Sequence, residues 1–308
     1  MLDCRGAWTA LVTPFSEDGS SIAFDRLTTA IRTQALAGMR GIVPCGTTGE
    51  SPTLRRSEWA AMVDRSVHEG HAQGLLVMPG AGSYDTRAAI EMHRHCADAG
   101  ADAALHVTPY YNRPSIDGLR HHFLSVADAA DLPVVLYDVP GRTGTAISAE
   151  LLIELADHPN IVAVKDATGS AATAQRVLGD STLQVLCGDD PMTLPLMALG
   201  AVGVVSVAGN IVPGRIASLV AAMLAGRLAD ARAIHRELLP LATGLLGLGP
   251  NPVPLKAALA ARGLDTGTLR SPLVPLDDDT TATIGRLVDA ALSSASATDP
   301  GPLRVASG

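Results

Sequence analysis

Two lysines, Lys165 and Lys256, stand in a chain where arginine supplies the rest of the 23 Lys plus Arg. An amine can do what a guanidinium cannot: it can lose its proton and attack a carbonyl. Lys165 closes the apolar, β-branched run "IVAVKDA" (161 to 167), and strand alternation puts Ile161, Ala163 and Lys165 on one face. If that face points into a dry interior, the neutral nucleophile is favoured there. Lys256, in "NPVPLKAAL", opens a helical stretch and is expected on a solvated face.

Aromatic usage points to the same chemistry. Of four tyrosines, three, Tyr110, Tyr111 and Tyr137, fall at the ends of the fourth and fifth candidate strands. Phenols donate and accept the protons that carbinolamine dehydration and enamine formation must move. "GTTGES" (46 to 51) offers free backbone N–H groups and two hydroxyls after strand two, a cradle for a carboxylate. "VPGRTG" (139 to 144) sets Arg142 on a Pro-Gly turn after strand five, where a guanidinium either grips a carboxylate with two bonds or makes a loop-to-loop ion pair.

These residues need a scaffold that brings strand ends together. Short apolar runs alternate with longer amphipathic ones: strands are expected at 7 to 14, 41 to 46, 75 to 82, 103 to 109, 133 to 140, 161 to 167, 183 to 189 and 203 to 209. Helical stretches such as "FDRLTTAIRTQALAGM" and "TRAAIEMHRHCADAG" lie between them. Eight βα units predict a (β/α)8 barrel, whose active site is built at the C-terminal ends of the strands. Beyond residue 210 the strand signal stops and helices follow. The expected organisation is a barrel over 1 to 226, a C-terminal helical domain over 227 to 294 and a disordered tail over 295 to 308.

A net charge of −8 and a pI near 5.5 argue against a nucleic-acid or anionic-membrane partner, so an anionic substrate must be held by local cations. No apolar run approaches the roughly 20 residues that span a bilayer, and the expected location is cytoplasmic. Cys4, Cys45, Cys96 and Cys187 show no CxxC spacing and read as reduced, apolar fillers. Histidines at 93 to 95 and 121 to 122 read as helix-surface residues without metal-ligand spacing, so no metal is expected. "GAGSYD" lacks the third glycine of a dinucleotide fingerprint and no Walker pattern occurs, so no cofactor is expected. An acidic residue of "CGDD" (187 to 190) either orients a catalytic group or caps the next helix, and capping is expected.

With Lys165, Tyr137, "GTTGES", "TPYYNRPS", "VPGRTG", "CGDD", "GVVSV" and "NPVPLK" in this order, the chain from about residue 6 to 293 resembles the dihydrodipicolinate synthase and N-acetylneuraminate lyase superfamily, and within it the dihydrodipicolinate synthases. The resemblance implies a Schiff base between Lys165 and pyruvate, an enamine, and attack on the aldehyde of L-aspartate semialdehyde, as in lysine and diaminopimelate biosynthesis. It implies that Tyr137 shuttles protons, that Thr47 relays them, and that Tyr111 reaches in from a neighbouring subunit of a homotetramer. It assigns substrate binding to Thr48, Gly188, the backbone near Val205, and Arg142. The family's lysine-inhibited members use a further residue set that Ser51 and Tyr110 match. Where those members carry two histidines, an asparagine and a glutamate, this chain has Arg56, Trp59, Tyr84 and Ala88, which implies weak or absent feedback by lysine.

Three other readings use the same residues. A pyruvate-dependent lyase for neuraminate or a 2-keto-3-deoxy sugar acid keeps Lys165 but needs hydroxyl partners rather than Arg142. A silent keto-acid sensor would have lost Lys165 or Tyr137, and both are present. A metal-dependent aldolase would need ligands at the strand ends, where His106 alone lies.

Overall fold

The computed structural model describes residues 2–293, so the tail expected at 295 to 308 lies outside the described residues. Eight strands appear at the eight expected places: β1 Gly6–Ala10, β2 Gly41–Val43, β3 Leu76–Val77, β4 Ala104–Val107, β5 Val134–Asp138, β6 Ile161–Asp166, β7 Gln184–Cys187 and β8 Gly203–Ser206. All neighbours pair in parallel, in the order β3-β2-β1-β8-β7-β6-β5-β4. The two ends of that order meet. Gly80 and Leu105 form a parallel bridge, Ala81 N donates to Leu105 O at 2.9 Å, and Leu105 N donates to Pro79 O at 2.8 Å. The sheet thus curls into a (β/α)8 barrel whose strands are covered on both faces, which is why they read as near-continuous apolar runs.

Twelve helices accompany the strands among the described residues: α1 Phe24–Leu36, α2 Arg56–Ala72, α3 Thr86–Asp98, α4 Ile116–Ala127, α5 Pro140–Thr143, α6 Ala149–Leu155, α7 Ala172–Asp180, α8 Thr193–Leu199, α9 Pro213–Leu224, α10 Leu228–Gly247, α11 Val253–Ala261 and α12 Asp278–Ser293. Local sequence sets several starts. Asp85, Ser115 and Ser148 accept from Arg87 N, Gly118 N and Leu151 N, satisfying first-turn donors that would otherwise be orphaned. Helices α10 to α12 follow the last barrel helix α9 and pack on one another, and α10 packs along α9.

Two apolar cores result. An inner one fills the barrel with Trp8, Val43, Leu105, Val135, Tyr137, Ala163, Leu186 and Val205; an outer one, including Ile42, Val77, Leu136, Val164 and Val204, seals strands against helices. Alternation therefore points Ala163 inward with Lys165, but not Ile161, which belongs to the outer core. The reason is a register shift: Val134 pairs with Ile161 while Val135 pairs with Ala163, so Val162 is an extra residue and the period of two is broken there. The single-face expectation for Ile161 fails on this bulge.

The histidine expectation also needs correction. His95 and His121 are at least partly exposed, but His93 and His122 are buried, as is His106 on β4. His93 Nδ1 lies 3.1 Å from His106 Nε2, and His122 Nδ1 lies 3.0 Å from Thr86 Oγ1. Burial holds His93 and His122 down at about 4 and His106 well below the usual range, so these rings are neutral packing elements between helices and sheet. All four cysteines are buried and free. Among the described residues no helix is long and apolar enough to cross a membrane.

Candidate active site

Parallel register sets the centre of the site. Tyr137 on β5 is the Cα partner of Lys165 on β6, so both side chains enter the barrel at one level. Lys165 Nζ lies 4.2 Å from the centroid of the Tyr137 ring, and each residue is only 6 % exposed. An ammonium over an aromatic face is attracted to it. The amine is close to dry and none of the ion pairs found among the described residues engages it.

Gly188 closes one side of the lysine. Its amide donates to Asp166 O at 2.7 Å, and a Cβ there would sit 2.9 Å from Lys165 Cε and 2.9 Å from Ala167 Cβ. Any larger residue would push the amine aside, so glycine is required by close approach. Val205 pairs with Trp8 across β1 and β8 and is buried in the inner core.

The acidic residue of "CGDD" does not cap a helix. Asp190 Oδ2 accepts from Val207 N at 2.8 Å and Ala208 N at 3.0 Å, tying the end of β7 to the loop after β8. Burial pushes its carboxyl up; bonds from Ser206, Ala208 and Val207 and the nearby charge of Lys165 pull it back. The capping expectation fails: Asp189, at the N-cap position after β7, makes no side-chain cap bond, and Asp190 gives its carboxylate to the backbone donors of the turn after β8. Asp138 plays a similar part at the end of β5: its Oδ1 accepts from Ile147 N at 3.2 Å, closing the loop that carries Arg142. Burial, with Asp166 beside it, pushes Asp138 up to about 7.

The mouth opens into a cavity of about 770 Å³ whose lining includes Thr47, Tyr137, Arg142, Tyr110, Tyr84 and Trp59. Thr47 and Arg142 thus face the space that Tyr137 borders. Thr48 is buried instead, its Oγ1 accepting from Asn251 Nδ2 at 3.0 Å. Among the described residues Arg142 makes no ion pair; Nη2 donates to Asn251 O at 3.4 Å. The loop-to-loop salt bridge considered for it is absent there. The "GTTGES" turn is held tightly: Cys45 and Glu50 have φ of 57° and 52°, and Thr13 Oγ1 donates to Gly49 O at 2.6 Å.

Tyr110 and Tyr111 separate. Tyr110 lines the cavity, edge-on to Tyr84 at 5.2 Å, and burial followed by the Tyr84 phenol raises its hydroxyl pKa. Tyr111 is 93 % exposed on a backbone with φ 73° and does not line the cavity of its own chain. The outer part of the cavity also holds Ser51, Arg56, Ala88 and Glu91, with the Arg56 guanidinium 4.5 Å over Trp59.

Lys256 is the clearest departure from the sequence reading. Expected on a solvated face, it is fully buried, with Nζ 2.7 Å from Glu50 Oε1, 2.7 Å from Thr268 O, and 4.2 Å from the Phe15 ring centroid. The α11 face that carries it packs on the barrel. Sequence reasoning also missed Asn251 and Glu50 as supports of the site; Glu50 lies inside the quoted "GTTGES" turn, where its left-handed backbone becomes evident only in the structure.

Comparison with known proteins agrees with this geometry. A curated 4-hydroxy-tetrahydrodipicolinate synthase of Sorangium cellulosum is 47 % identical over 91 % of this chain and 93 % of its own length. One from Methanothrix thermoacetophila is 44 % identical over 90 % of this chain and 94 % of its own. The crystal structure of a chloride-inhibited dihydrodipicolinate synthase from Acinetobacter baumannii, complexed with pyruvate, superposes with a TM-score of 0.91 at 35 % identity, covering 94 % of this chain and 99 % of that one. The model of the dihydrodipicolinate synthetase family matches residues 3–291, and with that extent and those relatives the chain belongs to this family.

Proposed function

We infer that the chain is a Schiff-base-forming lyase that condenses pyruvate with L-aspartate semialdehyde, a 4-hydroxy-tetrahydrodipicolinate synthase. The observation that carries this reading is the near-dry amine of Lys165 over the ring of Tyr137, a residue that borders the cavity that Arg142 also lines. The Lys165 amine adds to the ketone of pyruvate, and water leaves the carbinolamine to give the imine. A methyl proton is then lost, the enamine carbon attacks the aldehyde, and the semialdehyde's own amine displaces Lys165 as the ring closes. Per turnover one water is released and the lysine is regenerated.

In this scheme Tyr137 moves the protons at the imine and Thr47 relays them. Thr48, with Gly188 and the backbone near Val205, holds the pyruvate carboxylate, and Arg142 holds that of the semialdehyde. Tyr111 completes the relay of a neighbouring subunit; a phenol left 93 % exposed by its own chain supports that loan. The assembly is accordingly a homotetramer, a dimer of dimers, in the cytoplasm, where four buried free thiols are at home. We likewise place the boundary between barrel and helical domain at residues 226 and 227, where Gly226 has φ 72° between α9 and α10.

Intact-protein mass after borohydride reduction with pyruvate tests the reading. Wild type gains a pyruvyl adduct, Lys165→Ala does not, and wild type turns over aspartate semialdehyde. An adduct without that turnover would move the substrate to a sugar acid, and no adduct would overturn the chemistry.

A further inference from the structure

Asn251 sits just ahead of α11, in the helical segment behind the barrel, yet it touches both halves of the site. Its Nδ2 donates to Thr48 Oγ1 at 3.0 Å, and its backbone carbonyl accepts from Arg142 Nη2 at 3.4 Å. Thr48 lies in the loop after β2 and Arg142 in α5 after β5, so one residue links the two loops assigned to the two substrate carboxylates. Direction matters in the first bond. An amide nitrogen only donates, so Thr48 Oγ1 must accept, and its own hydroxyl proton is left to point at another acceptor.

The placement of Asn251 is rigid. One turn into α11, Lys256 is locked to Glu50, which lies two residues beyond Thr48, and Arg270 N also donates to Glu50, at 3.1 Å. The helical segment and the "GTTGES" loop are thus pinned together at Glu50–Lys256 and at Thr48–Asn251. A fixed second contact of this kind holds an orientation that a free hydroxyl rotor would not keep.

We propose that Asn251 is a positioning residue for the condensation: it turns the Thr48 hydroxyl toward the pyruvate carboxylate and steadies Arg142, so that the helical segment sets the relation between the two anion sites. This rests on the reading of Lys165, Thr48 and Arg142 given above.

The test is borohydride trapping across a pyruvate concentration series with the full-length protein, for wild type, Asn251→Ala and Asn251→Asp. Both variants keep Lys165 and should reach full adduct at saturation. The half-maximal pyruvate concentration should rise about five- to tenfold for Ala, the size of one lost hydrogen bond. It should rise further for the isosteric Asp, which takes the Thr48 proton as an acceptor and adds a negative charge beside the cradle. Adding Thr48→Val to Asn251→Asp should cost less than it does in wild type. In turnover, KM for both substrates should rise while kcat changes little, a split that general loosening of the fold would not produce. Variants that melt like wild type and trap pyruvate at wild-type concentrations would overturn the proposal, as would failure of both to fold, which would make Asn251 a folding residue. Absence of the adduct in wild type would overturn the functional reading itself.

Discussion

The two lysines are built alike and partnered differently. Each is buried, and each holds Nζ 4.2 Å from the centroid of an aromatic ring, Tyr137 for Lys165 and Phe15 for Lys256. Lys256, however, has a carboxylate at 2.7 Å and a carbonyl at 2.7 Å, whereas Lys165 has the phenol-bearing ring of Tyr137, which itself borders the cavity. Glu50 holds the Lys256 amine in a buried ion pair even though burial pulls the pKa of that ammonium down, whereas none of the ion pairs among the described residues engages Lys165. Burial alone does not make a lysine reactive. What matters is which partner the fold places beside it.

The largest effect that should separate the two is on chemistry. Lys165→Ala should lower turnover by on the order of 10^3-fold or more with an unchanged urea midpoint, whereas Lys256→Met should still form the pyruvyl adduct in whatever fraction folds. Loss of adduct in folded Lys256→Met would end the distinction. The reverse holds for stability: Lys256→Met leaves Glu50 buried without a counter-charge and should cost about 3–5 kcal/mol in urea unfolding. Lys256→Met combined with Glu50→Gln should recover most of that, because no orphan charge remains and Gln still accepts from Arg270 N.

The buried bases extend the comparison. His122 is pushed down to about 4 by burial, below the unfolded value near 6.5. The unfolded chain therefore binds the proton first, and the contribution of neutral His122 is fully present above about pH 6.5 and is lost as pH falls toward 4. Asp138, pushed up to about 7, works in the opposite sense across the same range, so the readout is a difference. Wild type should lose stability relative to His122→Gln by up to about 1.4 kcal/mol per pH unit between 6.5 and 4, and nothing above 6.5. A pH-independent difference in urea midpoints would show that the ring is already charged in the fold.

The smallest effect concerns an amine from outside. Free L-lysine entering the outer cavity meets the Arg56 guanidinium over Trp59 and finds Ala88 where the lysine-inhibited members carry a glutamate, which leaves Glu91, among the described residues, as the one carboxylate of the lining. Inhibition should be weak or absent: one missing charge-assisted bond of about 1.5–3 kcal/mol weakens binding roughly ten- to 150-fold, so initial rate should change less than about twofold at millimolar L-lysine. Half-maximal inhibition at sub-millimolar concentration would show that Glu91, in the same lining, serves instead.

Local pattern and residue type were enough to place all eight strands, the lysine at the end of β6, the tyrosine at the end of β5 and the arginine turn. Each depends on a short run of neighbours whose alternation decides which side is apolar. That logic broke where a single inserted residue, Val162, reversed the face of Ile161, because a bulge leaves no mark on composition. It also misjudged Lys256, His93 and His122, since helix periodicity tells which residues share a face but not whether that face meets water or another layer.

The sequence alone determined the eight βα units of this chain and the places of Lys165 and Tyr137 at strand ends, because strands and strand-end residues follow from the alternation of apolar side chains over a few positions. Only the closed tertiary structure decided that Asn251 reaches Thr48, that Asp190 holds the β8 turn and that Glu50 neutralises Lys256. Those partners are separated by 203 residues, 17 residues and most of the barrel, and they meet because closing the sheet and docking α11 fix distances that no local propensity encodes.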